Sequence, residues 1–303
     1  MTNIQLPDRN HNDTYPESSH EPMSSVVTHD NLPSIMPGQV WRARWDDVLT
    51  LVFVDTVLCE FAHRVRVAPV TMGDEDADDS ALVLPADANN LGTPLSIWPE
   101  LVADISEIVL ERWIAVVSDF SSISALEEAA AAGTVMRGLP ILNDASPRWE
   151  ERRFLELAME ALASAVDIAG GDGDLPAMLD GITSSQLASK LEVSLSLARN
   201  IKRARALVGF AQAEKLAELV GVPVQRVLSA NPKPPAQLVA LAARLDRGPA
   251  VRALARTKQE PESDAFRDLV QGAWGLAARG DKLDAEDWAG RLDTYIRVAL
   301  DNR

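Results

Sequence analysis

One change of pattern, near residue 120, limits the folds that this chain can adopt. Between residues 37 and 117, short runs rich in β-branched and aromatic residues alternate with Pro, Gly and acidic turns, which is typical of strands. From residue 121 onward, apolar residues recur at helical spacing instead. Strands followed by helices predict an α+β multidomain protein in which a small β-barrel precedes an all-α region.

Five strands are predicted in the first half of the chain, each bounded by Pro, Gly or acidic turns. Their short lengths and close spacing are typical of a small barrel or a strongly bent sheet. The predicted strands are 39–45, 50–58, 63–70, 81–84 and 108–117.

Changes in composition divide the chain into five regions. Residues 1–35 are rich in Asn, Asp, Ser and Pro and lack apolar periodicity, so we expect them to be disordered. Residues 170–174, Gly-Gly-Asp-Gly-Asp, predict a flexible linker. The predicted regions are a tail at 1–35, a β-barrel at 36–120, a helical connector at 121–170, a helix-turn-helix domain at 175–230 and C-terminal helices at 236–303.

Composition predicts a protein of the cytoplasm. Cys59 is the only cysteine, which excludes an intramolecular disulfide and a thiolate zinc cage within one chain. No apolar run approaches the roughly 20 residues of a membrane span, and residues 1–30 lack the apolar stretch of a signal peptide. We therefore expect a reducing compartment, and the sequence predicts no cofactor and no metal site.

Charge is distributed unevenly along the chain. The net charge of −16 alone argues against nucleic acid, because phosphate repels an acidic surface. Residues 185–256, however, hold 12 Lys and Arg against 4 Asp and Glu, whereas residues 1–184 hold 10 against 31. This asymmetry is typical of a nucleic-acid-binding module carried by an otherwise acidic protein.

Local signals in residues 183–208 predict a helix-turn-helix. Thr183 and Gln186 have the spacing of a capping box, so a helix should begin there. That helix should stop two residues before Ser194, which is a good N-cap for a second helix over 195–208. Two short helices joined by a tight turn are typical of a helix-turn-helix.

The second helix should have a buried face and a basic face. At 100° per residue, four apolar side chains lie within about 60° of one another and should face the core. The opposite stripe suits a DNA major groove, since Arg bridges guanine O6 and N7 and Lys or Arg neutralises phosphate. The predicted core residues are Leu197, Ile201, Ala204 and Val208, and the outward stripe holds Leu195, Arg199, Lys202 and Ala206, with Ser196 and Arg203 beside it.

A solvated surface is the ordinary role of helix charges, and it is the alternative interpretation here. Residues 193–212 contain four cations and no Asp or Glu, so ion pairs at i,i+4 spacing are not available to the second helix. The lack of acidic partners favours contact with DNA.

Residues 185–229 resemble the lambda-repressor-like (XRE) family of helix-turn-helix proteins. The shared elements are Gln-Leu-Ala at 186–188, Val-Ser at 193–194 and Leu-Ala-x-x-x-Gly-Val-Pro-Val-x-x-Val-Leu at 216–228. Glu192 departs from the family, which often has Gly at this left-handed turn position, and a non-Gly residue there costs about 1 kcal/mol. The resemblance implies that Ser194, Leu195, Ser196 and Arg199 approach bases and that Lys202, Arg203 and Arg205 contact phosphates.

Residues 37–118 resemble the MazF/PemK toxin family, through Pro-Gly-Gln-Val-Trp at 37–41 and Pro-Val-Thr at 69–71. The resemblance implies a dimeric SH3-like barrel and RNA cleavage by an Arg from an Arg-Pro dipeptide together with the Thr of the later motif. The chain has no Arg-Pro at the start of its second strand, so Thr71 is the sole catalytic candidate that carries over. Arg42 or Arg44 is the alternative source of the cation that would stabilise the phosphorane.

The sequence therefore predicts a sequence-specific transcriptional regulator that binds double-stranded DNA as a homodimer and is not an enzyme. Two alternatives stay open. One is a MazF/PemK-like endoribonuclease toxin, which requires an arginine near Thr71. The other is a non-catalytic toxin–antitoxin or defence protein that binds a protein partner through the barrel or the C-terminal helices.

Overall fold

An antiparallel sheet of eight strands forms the first part of the described fold. The computed structural model describes residues 33–59, 63–141, 146–168, 173–277 and 288–301. Of the tail predicted at 1–35, residues 1–32 lie outside the described residues. Of the linker predicted at 170–174, residues 170–172 lie outside them. The strands are β1 (Gln39–Trp45), β2 (Val48–Cys59), β3 (Arg64–Met72), β4 (Leu82–Leu84), β5 (Leu95–Ile97), β6 (Ala103–Ser106), β7 (Leu110–Val116) and β8 (Met136–Arg137).

The sheet is open. Its strands follow the order β7-β1-β2-β3-β5-β4-β8, and β6 pairs with the first half of β3. Within the described strands β7 and β8 end this order and do not pair with each other, so the closed SH3-like barrel is not confirmed. The five predicted strands are confirmed as β1, β2, β3, β4 and β7, whereas β5, β6 and β8 were not predicted.

Both faces of the sheet are covered. Successive residues of a strand point to opposite faces, so buried neighbours along a strand show that each face packs against other residues. Val52 and Phe53 illustrate this, since both are fully buried but belong to different clusters. One cluster, which contains Val52, also includes residues of the C-terminal helices such as Phe266 and Trp288. The other cluster, which contains Phe53, packs against Leu126 of the first helix.

Eleven helices occupy most of the described chain beyond residue 122. The described strands and helices together form a mixed α and β protein, as the sequence predicts. The helices are α1 (Ile123–Ala131), α2 (Pro147–Ala163), α3 (Leu175–Met178), α4 (Ser184–Leu191), α5 (Leu195–Lys202), α6 (Phe210–Val220), α7 (Val224–Ser229), α8 (Ala236–Ala242), α9 (Gly248–Lys258), α10 (Glu262–Ala277) and α11 (Trp288–Asp301).

The C-terminal helices contact the sheet through hydrogen bonds as well as through the hydrophobic cluster that contains Val52. The carbonyl oxygen of Ala243, directly after α8, accepts hydrogen bonds from Ile108 N at 3.0 Å and from Ser106 Oγ at 3.1 Å. Asp46, in the turn between β1 and β2, accepts a 2.9 Å hydrogen bond from Ser263 N at the start of α10. None of the helices in the described ranges is both long enough and apolar enough to cross a membrane.

Candidate nucleic-acid interface

Helices α3 to α7 surround a hydrophobic cluster of their own. The cluster runs from Leu175 to Ala230 and contains Leu187 and Ile201, all of them fully buried. Leu175 N donates to Ala230 O at 3.1 Å, which joins the first and last residues of this cluster. The two short helices that the sequence predicts from residue 183 onward are present here as α4 and α5, joined by a tight turn.

Helix α4 begins and ends as its sequence predicts. Thr183 Oγ1 accepts from Gln186 N at 3.2 Å, and Gln186 Oε1 accepts from Thr183 N at 2.9 Å, which completes the capping box. At the other end Glu192 adopts φ 58° and ψ 39°, the left-handed conformation that Gly adopts most readily. Lys215 Nζ lies 3.1 Å from the Glu192 carboxylate, so this exposed side chain is paired.

Helix α5 presents one buried and one exposed side. Ser194 caps its start, since Ser194 Oγ accepts from Leu197 N at 3.2 Å. Ala198 and Ile201 are fully buried, whereas the predicted core residue Leu197 is only partly buried. The first turn is open to solvent through Ser194, Leu195 and Ser196, and Arg199 is exposed one turn further along the helix.

Helix α5 ends at Lys202, six residues before the predicted end at position 208. Ala204 adopts φ +51°, which no helix interior allows. Arg205 N donates to Asn200 O at 2.8 Å and Ala204 N donates to Ile201 O at 2.9 Å. These are the two hydrogen bonds of a Schellman motif, with Ala in the left-handed position that Gly usually occupies.

The early end of α5 overturns one predicted position on the outward stripe. Ala206, expected to point outward, is 4% exposed and belongs to the hydrophobic cluster. Val208 is buried as expected, but it reaches the core from the loop after α5 and not from a helix face. The angular argument failed at Ala206 because it assumed helical geometry beyond Ala204, whereas the burial of Val208 is confirmed although no helix face produces it.

The buried amide of Asn231 holds this loop in place, a role that sequence reasoning missed. Asn231 is 1% exposed. Its Oδ1 accepts from Val208 N at 2.8 Å and its Nδ2 donates to Val208 O at 3.0 Å. The sequence interpretation placed Asn231 in a stiff linker, and no local signal distinguishes a linker Asn from one that pairs with a backbone 23 residues away.

Three arginines of the predicted DNA-binding set are exposed and form no ion pair within the described part of the chain. Arg199, Arg203 and Arg205 are exposed, and none of the described acidic side chains lies within ion-pair distance of them. Lys202 differs, because it is partly buried and its Nζ donates to the carbonyl oxygen of Ile182. Ser194, Leu195 and Ser196 are thus exposed at the start of α5, Arg199 is exposed on the helix, and Arg203 and Arg205 are exposed after its end. Lys202, by contrast, is engaged within the domain.

Other cations of the domain are paired, which distinguishes them from these arginines. Lys190 Nζ lies 2.8 Å from the Glu218 carboxylate, and this hydrogen bond holds the pKa of Glu218 below its ordinary value. Lys215 pairs with Glu192. The surface formed by α4 and α6 is thus neutralised locally, whereas the three arginines keep their full positive charge available to an anion.

Thr71, the candidate catalytic residue, lies on β3 and is partly buried. The strand register places Arg42 beside Leu51 and Leu51 beside Val70, so these three residues share one face of the sheet. Thr71 follows Val70 and therefore faces the other side. Arg44 shares the face of Arg42, so neither arginine lies on the face of Thr71.

Both of those arginines have acidic partners. Arg42 Nε lies 2.7 Å from Glu111, and Arg44 Nε lies 3.2 Å from Glu262. The ribonuclease alternative requires an arginine near Thr71. Neither Arg42 nor Arg44 meets this requirement, because both lie on the other face of the sheet.

Comparison with known proteins returned no relative for this chain: no family model matches it, no curated protein matches, and no solved structure matches. The two family resemblances seen in the sequence, and the roles they imply for single residues, therefore stay predictions. The case for a function rests on the geometry of the helix-turn-helix.

Proposed function

We propose that this protein is a sequence-specific transcriptional regulator that binds double-stranded DNA through α4 and α5. The observation that carries the proposal is the group of three exposed arginines, Arg199, Arg203 and Arg205, which have no acidic partner in the described part of the chain. Arg199 lies on a capped helix whose first turn is exposed, and Arg203 and Arg205 follow that helix. Such a helix fits a major groove, and its unpaired cations fit phosphate.

Each exposed residue has a role in this proposal. Arg199, in the middle of α5, reaches a base edge, as do Ser194, Leu195 and Ser196 in the first turn. Arg203 and Arg205 follow the helix and neutralise phosphates. A phosphate contact by Lys202 requires that its ammonium leave the Ile182 carbonyl, so we assign it a smaller share of the affinity.

We further propose that the protein acts as a dimer in the cytoplasm. A single helix-turn-helix reads few base pairs, and two half-sites about one helical turn apart are the usual route to useful specificity. The sheet, proposed to be an SH3-like barrel, supplies surface for self-association in this scheme. DNA with a two-fold symmetric site is the partner that the scheme requires.

The test is selection of binding sites from a randomised duplex pool, followed by sequencing. Wild-type protein is compared with Arg199→Ala/Arg203→Ala/Arg205→Ala. A matched control, Arg112→Ala/Arg137→Ala/Arg153→Ala, removes the same charge from exposed arginines outside the helix-turn-helix. We expect wild type and control to enrich one symmetric motif and the first variant to enrich none.

Two results would contradict the proposal. Enrichment of the same motif by the helix-turn-helix variant would show that the three arginines are only a solvated surface. An absence of any motif with wild-type protein, together with one stoichiometric protein partner in a pull-down, would favour the protein-interaction alternative.

A further inference from the structure

A polar cleft lies where the sheet meets the C-terminal helices. Its volume is about 600 Å³, within the range of roughly 300–1,000 Å³ that small-molecule sites occupy. The turn between β1 and β2, the end of α9 and the start of α10 form its walls. Three arginines and five acidic residues line it, namely Arg44, Arg252, Arg256, Asp46, Asp47, Glu111, Glu260 and Glu262.

Arg252, on α9, brings a guanidinium to this cleft that is attracted by the charges of Glu111 and Glu262 without forming an ion pair with either. Its guanidinium packs against Gly248, where an added Cβ would lie 2.9 Å from one terminal nitrogen. No described acidic side chain lies within ion-pair distance of it, and its side chain makes no hydrogen bond to a described residue. Burial lowers the pKa of Arg252, yet an arginine keeps its charge, so its donors favour an anionic acceptor.

Glu262, at the start of α10, brings an unsatisfied acceptor to the same cleft. The residue is 4% exposed. Its Oε1 lies 3.2 Å from Arg44 Nε, and the carboxylate is also stabilised by the Asp46 backbone and by the charge of Arg252. Its buried Oε2 makes no hydrogen bond to a described residue. Burial raises the pKa of this carboxyl group, which is the expected response of a charge that lacks a full set of donors.

We infer that this cleft binds a small zwitterion, a free amino acid or short peptide, whose carboxylate pairs with Arg252 and whose ammonium pairs with Glu262. A ligand with one carboxylate would satisfy Arg252 but leave the Glu262 oxygen unpaired. A simple amine would do the reverse. The lining has more acidic than basic groups, which disfavours a multiply charged anion such as a phosphate ester.

The inference is independent of DNA binding and is tested without DNA. Thermal unfolding of the full chain is followed with each common L-amino acid in turn. A ligand present at about 100 times its Kd should raise Tm by on the order of 5 °C. The best amino acid is then titrated by calorimetry beside its N-acetyl and carboxamide derivatives, each of which lacks one of the two charges.

Two variants locate the site, and a third is the control. Arg252→Met removes the guanidinium and keeps most of the apolar stem, and Glu262→Gln removes charge without changing shape. Arg153→Met makes the same substitution at an exposed residue of α2. We expect Arg252→Met to bind at least tenfold more weakly and Arg153→Met to bind as wild type does.

Glu262→Gln gives a result that a purely structural role would not produce. It should bind the free amino acid and its N-acetyl derivative equally, whereas wild type should prefer the free form at least tenfold. If Arg252→Met fails to fold, this loss of preference decides the question. The inference is overturned if no amino acid raises Tm, or if Arg252→Met and Glu262→Gln bind with wild-type affinity and preference.

Discussion

Replacing Arg203 and Arg205 by alanine should change the salt dependence of DNA binding far more than the base sequence that is preferred. Both residues follow the last turn of α5 and are exposed, without an acidic partner among the described residues. In the proposed complex they neutralise phosphates and do not read bases. Phosphate contacts set the slope of log K against log salt and carry no direct sequence information.

The size of the effect follows from counting phosphates. Each neutralised phosphate contributes about 0.9 to the slope, so two arginines on each of two protomers contribute about 3.6. Between about 50 and 200 mM salt, wild-type affinity should therefore fall about a hundredfold more than that of the variant. At the lowest salt the variant should bind every duplex more weakly than wild type, and the loss in affinity should be about the same for all duplexes.

Fluorescence anisotropy with a selected duplex and a scrambled duplex, at several salt concentrations, measures both quantities. Arg112→Ala/Arg137→Ala is the control, because it removes equal charge from exposed positions on the sheet. A variant with the wild-type slope would refute the assignment of these arginines to phosphate. A loss confined to one base substitution in the site would show instead that they read sequence.

Three further predictions concern stability. Ala204→Gly should raise the free energy of unfolding by about 1 kcal/mol in urea denaturation, because Ala204 has φ +51°, and an unchanged midpoint would contradict this. Asn231→Ala should lower the free energy of unfolding by about 1–3 kcal/mol, because the buried N–H and C=O of Val208 lose their partner. Amide hydrogen exchange at Val208 should become faster, and exchange as slow as in wild type would count against this prediction. Burial raises the pKa of Glu262, so folded protein binds this proton more tightly than unfolded protein and stability falls as pH rises through the raised pKa. Glu262→Gln should remove that part of the fall, and coincident pH profiles of variant and wild type would argue against it.

The start of the helix-turn-helix was predictable because its signals are local. The capping box at Thr183 and the cap at Ser194 each depend on residues within four positions, and both are present. The end of α5 was not predictable in the same way. Its left-handed residue is Ala204, and without Gly the sequence contains no stop signal there.

In the sheet, strand length decided which strands could be predicted from the sequence. Long strands were predictable from composition, but β5, β6 and β8 have three, four and two residues, too few to show an alternating pattern. The burial of both faces did leave a signal. Val52, Phe53 and Val54 are consecutive apolar residues, all fully buried, and such runs are typical of strands covered on both sides.

Tertiary contacts, and not α4 and α5 themselves, fix the segment that follows α5. Asn231 binds the backbone of Val208, and Gln271 of α10 donates to Leu207 O at 2.8 Å from 64 residues further along the chain. Arg203 and Arg205 lie four and two residues before Leu207. In the proposed complex, the local sequence determines which side chains of α5 face the DNA groove, while Asn231 and Gln271 determine where the two arginines proposed to bind phosphate lie. Loss of either anchor should weaken binding to all duplexes alike, because ordering this segment would then oppose association, while the preferred base sequence stays the same.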